Sequence, residues 1–163
     1  MDSKKVPIAY QICTAVESRE TDRKTIEEFG IDGFTLMEVA GNKAADYVLS
    51  RTLLPSHALV FCGSGNNAGD ALVLSRILHH HGYRCSIVFV GGIDNLSRET
   101  SRNLELIKKI PAESGSDIQI FEQFDATLLP EQFDFIIDGM LGTGINTALK
   151  DTYKLAVKWI NSK

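Results

Sequence analysis

Two short segments carry residue types from which a ligand site could be built. The first is Gly-Ser-Gly-Asn-Asn-Ala-Gly-Asp, residues 63–70, which follows an apolar run and precedes a helical pattern. The second is Asp-Gly-Met-Leu-Gly-Thr-Gly, residues 138–144, where a carboxylate ends another apolar run. Glycine lets the main chain approach a ligand closely, and N–H groups at a helix N-terminus bind phosphate. These segments therefore favour binding of a phosphate-bearing ligand.

The carboxylates and amides of these segments are the candidate reactive groups. Asp138 ends an apolar strand pattern, so its desolvation would cost free energy unless the carboxylate has a partner. Asp70 either caps the following helix, contacts a ligand hydroxyl or braces the loop. Asn66 and Asn67 are either turn residues, since asparagine tolerates left-handed backbone, or ligand contacts. Asp70 and Asp138 are the carboxylates that we nominate for proton transfer.

The elements that must position these groups follow from the hydrophobic pattern. Helices and strands alternate along most of the chain, which is typical of a parallel sheet with right-handed crossovers. The predicted helices are residues 14–29, 36–49, 71–81, 96–110 and 151–160. The predicted strands are residues 58–62, 85–92, 118–121 and 133–139. We expect a doubly wound α/β sandwich in which both glycine-rich segments lie at the carboxyl edge of the sheet, where such folds bind ligands.

Length, net charge and cysteine content indicate which class of protein the chain belongs to. A length of 163 residues suits a single domain, residues 1–163. The net charge of −4 argues against a nucleic-acid partner, and no apolar run approaches the ~18 residues of a membrane span. The N-terminal residues lack the apolar core of a signal peptide. The cysteines, Cys13, Cys62 and Cys85, form no close pair, as in a reducing compartment, so we expect a cytoplasmic protein.

The first segment, residues 63–70, can be compared with two known phosphate-binding motifs. Walker-type nucleotide binding is excluded because the loop has no Gly-Lys-Ser/Thr ending. A dinucleotide fingerprint, G-x-G-x-x-G/A, matches residues 63–68, but its ribose-binding acidic residue would have to be Asp94, which lies beyond two glycines. The run His79–His81 is not a metal site, because consecutive helical side chains point in different directions.

Three motifs in register carry a family resemblance that covers nearly the whole chain. Residues 63–83 resemble the G-x-G-N-N-G-G-D-G-L-x-x-A-R-x-L…G-Y segment of the YjeF N-terminal domain family, the NAD(P)HX epimerases. Residues 138–145 look like the D-A-x-F-G-T-G-L loop of that family. Residues 36–41, Leu-Met-Glu-Val-Ala-Gly, are similar to its Leu-Met-Glu-x-Ala-Gly block.

The resemblance implies a Rossmann-like three-layer sandwich with a mainly parallel sheet, preceded by two N-terminal helices. It also implies an isomerase of nicotinamide nucleotide repair, interconverting the R and S forms of NADHX and NADPHX. Such enzymes form homodimers and supply an ADP- or ATP-dependent NAD(P)HX dehydratase with its usable epimer. We therefore expect a small-molecule substrate and no nucleic-acid or membrane partner.

Site residues are carried over from the family by position. A potassium ion would be bound by Asn67 and Asp138, which suits a site of few charges and hard oxygen ligands. The residues that would contact the substrate are Asn66, Asn67, Ala68, Gly69, Asp70, Gly142, Thr143, Gly144, Ile145 and Asn146.

The sequence also departs from the family pattern. Ala68 and Ala71 stand where glycine is usual, and Thr147 stands near the place of an arginine in the second phosphate loop. The chain ends where the family continues into a strand bearing Asp-x-Pro-Ser-Gly, so we expect a domain truncated at its C-terminal end. Two alternatives to an active epimerase are therefore kept: a catalytically inactive ligand-binding or scaffolding module, and an ordinary NAD(P)-dependent oxidoreductase.

Overall fold

A computed structural model of the chain describes residues 12–54, 56–111, 117–145 and 148–163. Asn146 and Thr147 lie outside the described residues. The chain divides into two compact units, Met1–Gly33 and Phe34–Lys163, and each is described by itself.

The first unit contains helix α1, Ala15–Glu27. It begins with a capping box, in which the Thr14 side chain accepts from Glu17 N–H while the Glu17 carboxylate accepts from Thr14 N–H over 2.8 Å. Gly30 has a φ of +77°, a backbone that glycine adopts without strain. The predicted helix is thus confirmed with slightly shorter bounds. No residue of α1 is buried.

The second unit contains the sheet. Its helices are α2 Gly33–Leu49, which starts at the last residue of the first unit, α3 Asn66–His80, α4 Arg98–Lys108 and α5 Asp151–Ile160. Its strands are β1 His57–Cys62, β2 Arg84–Phe89, β3 Ile118–Phe121 and β4 Phe135–Gly139. None of the helices among the described residues is long and apolar enough to span a membrane.

The sheet has the strand order β3-β2-β1-β4, and every pairing is parallel. Strand β1 lies in the centre, and all its residues are buried. This explains the unbroken apolar run of residues 58–62, because a strand that is covered on both faces has no solvent-facing side on which polar residues would alternate. Among the described residues, β4 pairs on one side only, with β1.

Two hydrophobic cores lie on opposite faces of the sheet and confirm the three-layer α/β sandwich. Ala45 of α2, Leu72 of α3 and Leu104 of α4 belong to the core on one face, together with Val60 and Ile87 of the sheet. Residues alternating with these, such as Leu59, Phe61 and Val88, pack with Tyr153 and Ala156 of α5 on the other face. Because the side chains of a strand alternate, β1 and β2 serve both cores at once.

Candidate functional site

The turn Gly63–Gly65 leads from β1 to α3 at the carboxyl edge of the sheet. It lies directly against the end of β4: Gly63 N–H donates to Gly139 O over 3.2 Å, and a Cβ on Gly63 would be 2.0 Å from Met140 O. Such a distance is far inside van der Waals contact, so only glycine fits here. The two segments singled out by sequence are therefore neighbours.

Helix α3 begins earlier than the sequence pattern predicts. The helix starts at Asn66, not at Ala71, and Gly65 is its N-cap with φ −91°. Interpreting Asn66 and Asn67 as left-handed turn residues is wrong, since the described non-glycine residues include none with positive φ. Asp70 is the fifth residue of the helix, so its interpretation as the cap is wrong as well.

Packing explains why the helix extends into the glycine-rich segment. Ala68 is fully buried, and a Cβ on Gly69 would be 2.3 Å from Met37 Sδ and 2.8 Å from Thr100 Oγ1. Burial of this turn against α2 and α4 outweighs the modest helix propensities of asparagine and glycine. Ala68 and Gly69 thus have a packing role, while Gly65 and Asn66 are exposed.

The first turn of α3 is tied to the loop after β4. Asn67 Nδ2 donates to Leu141 O over 3.0 Å, and a Cβ on Gly142 would be 3.6 Å from Asn67 Cβ. Residues Gly142, Thr143, Gly144 and Ile145 are exposed beyond this contact. The exposed N-terminus of α3 and the exposed glycine loop therefore face solvent at one edge, as an anion site requires.

Asp138 is exposed, and its Oδ1 accepts a hydrogen bond from Met140 N–H over 2.9 Å. The expectation that desolvation leaves this carboxylate in need of a partner is therefore wrong. Its register partner in β1 is Phe61, and β4 is paired on one side only among the described residues, which leaves the carboxylate open to water.

The oxygen atoms of Asn67 and Asp138 suit a hard cation. Asn67 donates to Leu141 O through Nδ2, so the side-chain atom that could bind a cation is Oδ1. Asp138 accepts from Met140 N–H through Oδ1, so the corresponding atom of this carboxylate is Oδ2. Gly139 brings the end of β4 against Asn67, because a Cβ there would be 3.1 Å from Asn67 O. One carboxylate with neutral oxygens fits a cation of low charge. The described residues contain no group of three or more His, Cys, Asp or Glu able to hold a metal.

Sequence reasoning missed two groups at this edge. Tyr153 of α5 places its hydroxyl 3.0 Å from the position of a Cβ on Gly91, next to the end of β2. Burial raises the pKa of Tyr153, and hydrogen bonding with Ser64 partly offsets that rise. Burial, followed by the charge of Asp138, raises the pKa of Cys62. The sequence predicted the helix at residues 151–160, but no motif indicated that Tyr153 lies beside the turn.

Comparison with known proteins agrees with this geometry. The family model for the YjeF-related protein N-terminus matches residues 33–163. The chain is 35% identical to an NAD(P)H-hydrate epimerase of Lentilactobacillus buchneri over 83% of this chain and 60% of that protein. It is 38% identical to an NAD(P)H-hydrate epimerase of Cenarchaeum symbiosum over 77% of this chain and 57% of that protein. It is 32% identical to a bifunctional NAD(P)H-hydrate repair enzyme of Salinibacter ruber, covering 93% of this chain and 30% of that protein.

A crystal structure of the yeast protein YNL200c has the same fold. Its TM-score is 0.74 at 22% sequence identity, covering 91% of this chain and 63% of the yeast chain. The chain thus spans less than two thirds of these relatives. With the family model matching residues 33–163, the chain belongs to the family of YjeF-related protein N-terminal domains.

Proposed function

We propose that this chain carries the substrate site of an NAD(P)HX epimerase, which interconverts the R and S forms of hydrated NADH and NADPH. The observation that carries the proposal is the junction of the two glycine-rich segments. Gly63 bonds Gly139, and Asn67 bonds Leu141, so the start of α3 and the loop after β4 form one exposed edge. The epimerase relatives support the substrate class.

In the proposed complex, the substrate phosphates bind the first turn of α3 and the loop at Gly142–Ile145. Main-chain N–H groups at a helix N-terminus have no partner within the helix, and the helix dipole favours an anion there. The residues proposed to form the substrate site are Asn66, Asn67, Ala68, Gly69, Asp70, Gly142, Thr143, Gly144, Ile145 and Asn146. Because Ala68 and Gly69 are buried, their part is to place the exposed residues beside them.

Epimerisation inverts the hydroxylated carbon beside the ring nitrogen of the hydrated nicotinamide. The inversion proceeds either through loss of hydroxide to an iminium or through ring opening, and both routes need a positioned acid or base. Asp138 and Asp70 are the groups proposed for this proton transfer. Asp138 is exposed and held by Met140 N–H, which fixes one carboxylate oxygen and leaves the other available.

The cofactor proposed is a potassium ion bound by Asn67 and Asp138. It supplies positive charge beside the phosphate-binding edge. We also propose that the protein is cytoplasmic, forms a homodimer and works with an ADP- or ATP-dependent NAD(P)HX dehydratase.

The test is an assay of NADPHX epimerisation coupled to excess dehydratase. We expect wild type to convert the epimer that the dehydratase does not use, and we expect the rate of this conversion to fall at least tenfold in Asp138→Asn. The matched control is Glu105→Gln, which removes an exposed carboxylate on α4. Equal rates in Asp138→Asn and wild type would overturn the role of Asp138.

A second candidate, an inactive binding or scaffolding module, is favoured by one observation. Ala68 and Ala71, which stand in the first turns of α3 where glycine is usual in the family, add methyl groups to the segment that would approach the substrate. This candidate predicts that NADP+ binds and shifts the amide resonances of Gly65 and Asn66, while the coupled assay shows no epimerisation. Absence of both binding and turnover would overturn both candidates.

A further inference from the structure

The turn between β1 and α3 is held by the N-terminus of α4, which no site motif includes. Ser97 N–H donates to Ser64 O over 2.7 Å, and Thr100 Oγ1 donates to Gly65 O over 3.0 Å. Thr100 is fully buried. Two successive carbonyls of the turn are therefore bonded to α4, and Gly65 O also accepts from Ala68 N–H of α3 over 3.0 Å.

Fixing these carbonyls also fixes two N–H groups. The peptide bond is planar and trans, so the carbonyl of one residue and the N–H of the next point in opposite directions. The bond to Ser64 O therefore sets the direction of Gly65 N–H, and the bond to Gly65 O sets that of Asn66 N–H. Ser64 O is directed at α4, so Gly65 N–H is directed away from that helix. Gly65 O is held by the Thr100 hydroxyl and by Ala68 N–H, so Asn66 N–H is directed away from both donors, and Gly65 and Asn66 are exposed.

The Thr100 hydroxyl is itself oriented. Ser97 Oγ donates to Thr100 Oγ1 over 2.9 Å, which leaves the Thr100 hydrogen for Gly65 O. Thr100 Oγ1 would also be 2.8 Å from a Cβ on Gly69, so α3 and α4 are in close contact at this point. Ser97 is the N-cap of α4, and its side chain accepts from Thr100 N–H.

We propose that Thr100, oriented by Ser97, is a positioning residue that preorganises Asn66 N–H for a phosphate group, next to Gly65 N–H, whose direction is set by the main-chain bond from Ser97. This inference rests on the proposed phosphate site and adds the residue that holds it in its binding geometry. Thr100 touches no substrate. Preorganised donors bind an anion more tightly because they need no ordering when the ligand arrives.

Two substitutions separate the hydroxyl from the rest of the side chain. Thr100→Val removes the donor and keeps the branched shape, while Thr100→Ser keeps the donor and removes a methyl group. We expect NADP+ to bind Thr100→Val about threefold to tenfold more weakly than wild type by calorimetry, the equivalent of one lost hydrogen bond. Thr100→Ser should bind within twofold of wild type. Equal affinities in wild type and Thr100→Val, or equal losses in both variants, would overturn the inference.

A measurement without ligand keeps the inference separate from the proposed function. Residual dipolar couplings report the direction of Asn66 N–H, which we expect to change in Thr100→Val and not in Thr100→Ser, while the coupling of Gly65 N–H, which is set by the main chain of Ser97, stays the same in both variants. If wild type does not bind NADP+, the phosphate site fails, whereas an unchanged Asn66 coupling in Thr100→Val would overturn the positioning role. Should Thr100→Val not fold, Ser97→Gly is measured instead: it removes the hydroxyl that orients Thr100 and caps α4, and glycine is tolerated at an N-cap. It should shift the Asn66 coupling, and an unchanged Asn66 coupling would overturn the role.

Discussion

The side-chain amide of Asn67 donates to the main-chain carbonyl of Leu141 over 3.0 Å, and so joins the first turn of α3 to the loop after β4. These residues are 74 positions apart in the chain. The bond connects the two glycine-rich segments on which the proposed site depends, and its partner is a carbonyl, which only a donor can satisfy.

Replacing Asn67 with alanine should therefore destabilise the protein. We expect Asn67→Ala to lower the free energy of unfolding by about 1 kcal/mol, the usual net value of a hydrogen bond, and to lower the melting temperature by roughly 2–4 °C. Asn66→Ala is the matched control, since it is the preceding residue of the same helix and exposed. Calorimetry that finds equal melting temperatures for the two variants would contradict the role of the Asn67 bond.

Alanine should destabilise the protein at one glycine of the turn and have little effect at another. A Cβ on Gly63 would be 2.0 Å from Met140 O, whereas a Cβ on Gly65 meets nothing within 4 Å. Gly63→Ala forces the end of β4 away, and we expect a loss of about 1–3 kcal/mol in unfolding free energy, as for overpacking. Gly65→Ala should stay within about 1 kcal/mol of wild type. Urea unfolding of both variants tests this, and similar losses would show that the close approach to Met140 is not maintained in solution.

Much of this fold could be predicted from the sequence because hydrophobic periodicity reflects burial directly. The apolar run of β1 and the glycine at residue 30 indicate a buried strand and a helix end without any tertiary information. Parallel strands also place the segments after β1 and β4 at one edge. That β4 pairs with β1 depends on the order of strands, which local pattern does not specify.

The details of the site could not be predicted because they depend on packing between layers. Asn66 begins a helix because the turn after it is buried against Met37 and Thr100, and these contacts come from distant segments. Asp138 is exposed because β4 is paired only with β1 among the described residues. Thr100 and Tyr153 lie within helices and belong to no motif, so nothing in the sequence marks them as neighbours of the turn.

The cysteines should differ in reactivity toward thiol reagents. Cys13 is exposed, while Cys62 and Cys85 are buried. Burial raises the pKa of Cys85 to about 12, and it raises the pKa of Cys62 as well, so neither forms the reactive thiolate at neutral pH. A colorimetric disulfide reagent should titrate one thiol rapidly in the folded protein and all three after denaturation. Rapid reaction of more than one thiol at native pH would show that the core opens.

Potassium should stabilise the folded protein through the Asp138 carboxylate. A ligand that binds only the folded state raises stability by RT ln(1 + [L]/Kd). We expect the melting temperature to rise with potassium chloride relative to tetramethylammonium chloride at equal ionic strength, and the rise to shrink in Asp138→Asn. Asparagine keeps an oxygen that can accept from Met140 N–H, so the bond seen at 2.9 Å is retained. In Glu105→Gln, an exposed control, the response should match wild type, and an equal response in Asp138→Asn would exclude this residue as a ligand.

Stability should fall in mild acid because of His57, at the start of β1. The ring is buried, with Nδ1 3.0 Å from Gln132 O and Nε2 2.9 Å from Ser86 Oγ. A carbonyl only accepts, so Nδ1 carries the proton and Nε2 accepts from Ser86. Burial, followed by the charge of Arg84, lowers the pKa of His57 below 6.5, although Gln132 and Asp134 act in the opposite direction.

Whether the free energy of unfolding rises or falls with pH depends on which state, folded or unfolded, binds more protons. With a lowered pKa in the folded state, the unfolded chain binds the extra proton, so the contribution of His57 is complete above pH ~6.5 and is lost as the pH falls below it. Urea unfolding between pH 8 and pH 5 should therefore give a falling free energy in wild type and a flatter profile in His57→Gln, which is less stable at pH 8. The control is His80→Gln, because His80 is exposed, and its profile should follow wild type. A His57→Gln profile as steep as that of wild type would show that other groups cause the acid sensitivity.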